Sequence, residues 1–394
     1  MPFSPEELDK AYQEVVSENP YINRELFMGK HLGSEHFWVG IQPFLLHRGY
    51  RLRPRYDPQW VAPWLRGPEI NQDILAFEES LILGKGKDLL DAVRVSDGLK
   101  VVFKRVSTGS PEINIARYLS SPKLRLDPRN HTVPILDILP LPDDDAFALL
   151  VMPQLIGFNQ VPFQRLGEMT DALHQYFEGL EFLHEHNIAH RDACYFNLMM
   201  DASKVVPRGV HFIESDTHDG LVRELEWNDR TSVGPVPYYI IDFGLSVMYP
   251  KGRKRQSRGP YGQDRSVPEH KHEDPHDPFK VDIYQLGRVM FRMIQQYDGL
   301  EPLLDIATAM TRQDPEDRIS LRDALDQLDR IPKKKLKRRS SSQQPQRGAF
   351  KYCVAPKCVT NPATAPPSIS ASGQCSLITV TPQGVARGWE IGEY

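Results

Sequence analysis

His190-Arg191-Asp192-Ala193-Cys194-Tyr195-Phe196-Asn197 is followed, forty-five residues after its asparagine, by Asp242-Phe243-Gly244. The residues leading into the second group, Val236-Pro237-Tyr238-Tyr239-Ile240-Ile241, have the aromatic and β-branched composition of a strand. A lone Asp or Asn in a loop is ordinarily a turn residue. Seven specified positions in a fixed order are a stronger signal. At about one in twenty each, and with starting points and spacings allowed for, chance produces the set with odds of roughly 10⁻⁵.

Outward from these motifs, residues 71–330 carry regular periodicity. LKVVFKRV (99–106) reads as a strand, and SPEINIARYLSS (110–121) as a helix with Ser110 at its N-cap. ALLVMPQL (148–155) reads as a buried strand running into Pro153. Leu166, Met169, Leu173, Phe177, Leu180 and Leu183 recur at helical spacing and predict a long amphipathic helix ending near His186. KVDIYQLGRVMFRMIQQY (280–297) is apolar over most of its circumference, which predicts a buried helix. Ser320 with Asp323 three residues on has the form of a capping box. Strands first and helices later predict an α+β protein in two lobes.

Residues 1–70 read as an N-terminal extension that packs on the rest. Leu8, Tyr12 and Val15 share a helix face, while the prolines of YDPQWVAPWLRGP exclude one long helix. Residues 331–394 read as a basic tail with little fixed structure. Its first part, IPKKKLKRRSSSQQPQRGA, has the composition of a solvated linker. The tail holds ten Lys/Arg against two Asp/Glu, or +8, so the other 330 residues carry −12 of the net −4. An acidic body speaks against a direct nucleic-acid role. KKKLKRR (333–339) is a candidate for an import receptor or an acidic partner. No run of about 18 apolar residues is present, so no membrane span is expected. The start MPFSPEELDKAYQEV lacks the basic and apolar regions of a secretory signal. Four cysteines, three of them in the tail, do not make a disulfide scaffold. The expected location is cytoplasmic, nuclear or both.

The two motifs resemble the protein-kinase signature H-R-D-x-x-x-x-N followed by D-F-G. The resemblance covers roughly residues 71–330. It implies a two-lobed fold with a small β-rich lobe and a larger helical one. Val267-Pro268-Glu269, Asp282 with Gly287, and Arg318 are similar to further positions of that family, and the last implies an ion pair between Glu269 and Arg318. The segments PRNHTVPILDIL, YYIIDFGLS, GQDRSVPE and DPFKVDIYQLG resemble a group of protein-kinase-domain proteins abundant in basidiomycete fungi. The implied cofactors are ATP and Mg²⁺, and the implied partner is a protein substrate carrying Ser or Thr. Phosphoryl transfer needs positioning and charge neutralisation more than covalent chemistry. Asp192 is then the base for the attacking hydroxyl. Asn197 and Asp242 supply the hard oxygens that Mg²⁺ requires. Lys104 grips the nucleotide phosphates, and Gly84, Gly86, Met152 and Leu155 are the remaining candidate nucleotide contacts. Glu112 either pairs with Lys104 or is a first-turn acid favoured by the helix dipole.

The sequence departs from the family in four places. In Gly84-Lys85-Gly86-Lys87-Asp88-Leu89 the third glycine is replaced by Leu89, which hinders close approach of backbone to phosphate. Cys194 stands where serine/threonine kinases carry a lysine. Residues 203–234 exceed the short hairpin usual between the two motifs; they either reach toward the substrate cleft or form an inert surface excursion, and the second is the expectation, since loops tolerate insertions. HKHEDPH (270–276) offers metal-ligand types, with a solvated loop as the ordinary reading. These departures keep a second reading open, a pseudokinase that binds nucleotide weakly or not at all and acts as a binding module. A small-molecule phosphotransferase of the aminoglycoside-kinase type ranks third, because Val267-Pro268-Glu269, Asp282 and Arg318 point to the protein-kinase branch.

Overall fold

The computed structural model describes residues 3–82 and 88–331, and the backbone of 337–338. Its strands and helices follow from short-range chemistry. Ser4 and Glu7 close a full capping box at the start of α1 (Pro5–Glu18), each side chain bonding the other's backbone N–H. α2 (Arg24–Phe27) and α3 (His36–His47) follow, then β1 (Tyr50–Arg51). β2 (Leu89–Arg94) and β3 (Lys100–Ser107) form an antiparallel pair. α4 (Pro111–Leu119) is capped by Ser110 and continues into α5 (Pro122–Arg125). β4 (Asp137–Leu141) and β5 (Asp144–Pro153) complete a five-stranded antiparallel sheet in the order β1-β2-β3-β5-β4.

The period-2 alternation of β3 gives the sheet two different faces. Val101 and Phe103 join Trp38 and Leu45 of α3, Leu139, Leu149 and Val151 in one apolar cluster. Val102 and Lys104 face the other way, toward the helical part. Residues 3–82 build their own small core from Leu8, Val15, Phe27, Trp64 and Ile74. Beside it lies a fully buried Arg55. Its guanidinium donates to Glu35 at 2.5 and 2.6 Å and to the carbonyls of Lys30 and Glu79, and it stacks on Trp60.

The helical part is built on α6 (Leu166–Glu185), α7 (Pro278–Gln296), α8 (Leu304–Met310) and α9 (Leu321–Asp329). Threaded among them are β6 (Ile156–Gly157), β7 (Ile188–Ala189), β8 (Leu198–Met200), β9 (Tyr238–Ile240) and β10 (Val247–Met248). β6, β8 and β9 form one small antiparallel sheet, and β7 pairs with β10. Gly287 lets α7 approach α8 closely: a Cβ there would lie 2.8 Å from Met310 Cβ and Thr311 Cγ2. The fold is mixed α/β, with a curled sheet set against helices, and is compatible with the two-lobed kinase-like arrangement. None of the helices among the described residues is long and apolar enough to cross a membrane.

One expectation, the capping box at Ser320, is corrected, and one pairing is added to the tail segment. Ser320 accepts from Asp323 N, but the Asp323 carboxylate takes the Ser320 hydroxyl at 2.6 Å instead of its backbone N–H, because aspartate is a methylene shorter than glutamate. In the basic segment read as solvated linker, β12 (Lys337–Arg338) pairs antiparallel with β11 (Tyr297–Asp298).

Arg318 donates to Glu269 at 2.6 and 2.7 Å and to the carbonyls of Arg312 and Lys280, with no exposed side-chain surface. Removing one member leaves a buried charge uncompensated. Arg318→Ala should therefore lose about 3–5 kcal/mol, seen as a lower urea midpoint at unchanged slope. Glu269→Ala should lose a similar amount, and the double variant clearly less than the sum. Strict additivity would mean the two side chains do not interact.

Candidate active site

Lys104 projects from β3 into the gap between sheet and helices. Its Nζ donates to Glu112 Oε1 at 2.5 Å and to Asp242 Oδ1 at 2.7 Å. Glu112 lies in the first turn of α4, its backbone N–H capped by Ser110 at 3.1 Å. It is thus both a first-turn acid and the partner of Lys104, so the two sequence readings do not exclude each other. Asp242 adopts a left-handed backbone at φ 66° and ψ 81° and accepts from Gly244 N at 3.1 Å. Space at Gly244 is tight: a Cβ would meet Asp242 Oδ1 at 3.1 Å and Glu112 Oε2 at 3.3 Å, so these carboxylates would have to give by a few tenths of an ångström. Burial works against charge on both Lys104 and Asp242, but their mutual attraction and hydrogen bonds, with Glu112 adding to them, outweigh it. The lysine is held above its ordinary pKa and the aspartate below.

The second motif hangs from α7. The buried Asp282 carboxylate accepts from His190 N at 2.8 Å, Arg191 N at 2.6 Å and His184 Nε2 at 3.0 Å. Arg191 is left-handed at φ 68°. His190 donates from Nε2 to Ile241 O at 3.0 Å and accepts Asp192 N at its Nδ1, which joins the two motif loops. Asn197 turns its amide N–H groups to Asp192, to the backbone O at 2.8 Å and to Oδ2 at 3.1 Å. Gln263 holds both oxygens of the same carboxylate, with its backbone N on Oδ1 at 2.8 Å and its Nε2 on Oδ2 at 3.1 Å. Cys194 is buried beside Asp192. Burial first, and the neighbouring carboxylate second, push its thiol far above the ordinary range, so it is uncharged. Arg191 stacks on Tyr261 at 3.9 Å and donates to Leu245 O.

Lys104, Glu112, Met152, Leu155, Asn197 and Asp242 line a single cavity of about 100 Å³ between sheet and helices. Asp192 sits just behind Asn197 and outside that lining. Gly84 and Gly86 lie outside the described residues. Leu89 is paired with Lys104 across the strands and lines the same cavity. The donor set suits a hard cation: the Asp242 carboxylate and the Asn197 amide oxygen, which no described donor occupies, face one space.

The expectation for residues 203–234 is corrected. Val210, His211, Phe212 and Ser215 form part of the cavity wall, so this segment is no inert surface excursion. Sequence reasoning also missed Gln263. A glutamine in a loop carries no spacing signal, and only the fold brings it to Asp192. No cluster of three or more His, Cys, Asp or Glu side chains among the described residues has metal-holding geometry, so HKHEDPH supplies no ligand set. His270 packs on Tyr261 instead, with ring centroids 4.5 Å apart. Cys353 and Cys358 lie outside the described residues.

No family model matches the chain. A light-sensor protein kinase from Ceratodon purpureus is 26% identical over 169 residues, which is 40% of this chain and 12% of that protein. The chain thus spans a small part of the relative's length, and the similarity indicates a distant relationship to a protein kinase.

His270 yields a pH test. Both ring nitrogens are buried without a hydrogen-bond partner among the described residues, and burial, with His276 nearby, lowers its pKa from 6.5 to about 4. An unfolded histidine takes up its proton near 6.5, before the folded one does. Stability should therefore fall as pH drops from about 6.5 to about 4 and be level in this term below that. His270→Phe should flatten that limb of the melting-temperature profile relative to the wild type. An unchanged slope would remove His270 as its source.

Proposed function

We propose that the chain is an ATP- and Mg²⁺-dependent protein kinase that transfers the γ-phosphate to Ser or Thr hydroxyls of a protein substrate. The observation that carries this reading is the Lys104 bridge to Glu112 and Asp242, set in one cavity with Asn197. MgATP, when bound, supplies the transferable phosphoryl group. Lys104, oriented by Glu112, holds the nucleotide phosphates. Asp242 and Asn197 would hold the metal, which would supply charge neutralisation at the phosphates. Asp192, oriented by Asn197 and Gln263, takes the proton of the attacking hydroxyl. The wider proposal divides the chain into an extension at 1–70, a kinase-like domain at 71–330 and a tail at 331–394. It places the protein in the cytoplasm or nucleus, with the tail meeting an import receptor or an acidic partner. The likeness to the basidiomycete group belongs to the same proposal.

A pseudokinase is the second reading, favoured by one specific feature. Asp192 has neutral donors on both oxygens and, among the described residues, no cation in ion-pair contact, where the family has a lysine. Phosphoryl transfer would then lack one positive charge on the moving group.

The purified chain with MgATP and mixed Ser/Thr peptides should incorporate phosphate. Asp192→Ala should reduce that at least about 100-fold, the lower range for a general base. Transfer equal in wild type and variant would sink the kinase reading. Nucleotide at about 100 times its Kd should stabilise the fold by about 2.7 kcal/mol, and Lys104→Met should diminish the shift. A shift without transfer would select the pseudokinase.

A further inference from the structure

The segment from Val206 to Gly220 leaves the helical part, crosses the mouth of the cavity and touches the sheet. Its near end is fixed in the large core by Val205 and Val206. Its far end returns to Arg230, which lies beneath Phe163 and donates to the carbonyls of Phe158, Val161 and Pro162. Between these anchors the segment is shaped by its own bonds, among them His211 N to Thr217 O at 2.9 Å and Glu214 N to His211 Nδ1 at 3.1 Å. Gly209 and Gly220 supply left-handed turns at φ 70° and 91°.

The tip is held from both sides: Val210 is buried in the large core of the helical part, and the segment also bonds to residues on the sheet side. Val210 O accepts from Lys100 Nζ at 3.0 Å and from Gln154 Nε2 at 3.2 Å. Ser215 O accepts from Gln160 Nε2. His211 Nε2 meets Glu78 Oε1 at 3.1 Å, and the same carboxylate pairs with Arg53. Phe212 is buried against Leu89 and Val102, with Ile213 beside it. Leu89 and Val102 are apolar side chains on the sheet's cavity side, on the same face as Lys104. On the sheet side the ties are polar bonds to long side chains and one inserted ring, each hydrogen bond modest in net worth because water offers the same groups bonds of their own. The cavity left beneath it, about 100 Å³, is well below the roughly 300–1,000 Å³ of a pocket that encloses an organic ligand.

We propose that residues 206–220 are a gate over the nucleotide cleft, in which Phe212 takes the place of a nucleotide's base against Leu89 and Val102 and must withdraw before a nucleotide enters. This rests on the nucleotide-binding reading above and adds to it a resting state that is closed by the chain's own insert. A ligand that binds only the open state is weakened by the fraction of molecules that are open. Variants that loosen the gate should therefore bind faster and tighter without any new contact to the ligand.

The test uses the full chain, Mg²⁺ and a fluorescent ATP analogue in stopped flow. Phe212→Ala and Lys100→Met, the second leaving the Phe212 ring intact in case the first is poorly folded, should each raise the association rate at least about tenfold. Saturating MgATP should accelerate amide hydrogen exchange across 206–220 in the wild type. Weaker binding by Phe212→Ala would make the ring a wall of the site and overturn the gate. Equal association rates in all three proteins would overturn it too, with nucleotide binding itself upheld. Absence of binding in all three, while Lys100→Met still speeds exchange across 206–220, would locate the failure in the nucleotide reading and leave the gate nothing to admit.

Discussion

An ammonium group held between two carboxylates joins the two parts of this molecule. Lys104 belongs to the sheet and Asp242 to the helical part, 138 residues away along the chain. Withdrawing such ions from water costs several kcal/mol each in practice, and the loss is offset only where geometry is good and the remaining bonds are satisfied. Here Glu112 and Asp242 both reach Nζ at hydrogen-bond distance. Gly244 leaves them room to do so, and its N–H supports Asp242. Two carboxylates on one ammonium still leave the trio with a formal negative charge, and Asp192 adds another behind Asn197. An excess of negative charge in a partly closed cleft is disfavoured unless a cation is available to balance it. The arrangement therefore explains at once why sheet and helices meet where they do and why the cleft suits a hard divalent ion.

The left-handed backbones at Arg191 and Asp242 belong to the same argument. Each costs on the order of 1–3 kcal/mol and persists only where the surroundings over-determine it. For Arg191 the restraint is Asp282, which takes two successive backbone N–H groups. Gln285, one turn on along α7, takes the N–H of Ala193 at 2.9 Å. For Asp242 the restraint is Lys104 on one side, with His190 gripping the preceding carbonyl on the other. The buried helix α7 is thus the shelf on which the catalytic-type loop is laid out, and a buried carboxylate is tolerated there because three donors satisfy it.

The sequence was legible wherever chemistry and position coincide locally. The strand at 99–106 and the long helix at 166–186 follow from side-chain period, and the start of α4 from Ser110 and Pro111. Asp192, Asn197 and Asp242 stood out because their spacing is improbable. Legibility failed where meaning comes only from distant contact. Arg55 in the N-terminal region reads as one more surface arginine, yet it is fully buried with Glu35. Glu112 could not be chosen over a plain first-turn acid, since both roles ask for the same residue at the same place. The insert was misjudged for a related reason. Loop composition reports solvent exposure on average, and Phe212 stands in a short apolar stretch with Val210 and Ile213 that has no periodicity to reveal which surface it meets.

The departures from the kinase pattern fall on particular steps and leave the frame intact. On the proposed kinase reading, Cys194 removes a charge from the transfer step, Leu89 and Phe212 bear on admission of the nucleotide, and Gln263 covers the oxygens that a substrate hydroxyl would approach. The contacts that hold the architecture run through Asp282, Arg318 and Lys104, and Leu89 adjoins the last as its cross-strand neighbour. A chain that had lost all use for the cleft would be under no physical requirement to keep Lys104 buried between two acids, because a well-packed apolar trio of similar volume is often as stable or more so. The ionic trio has no such excuse in packing alone. The proposed gate would add to it a ring, Phe212, packed against Leu89 and Val102 beside the same cavity.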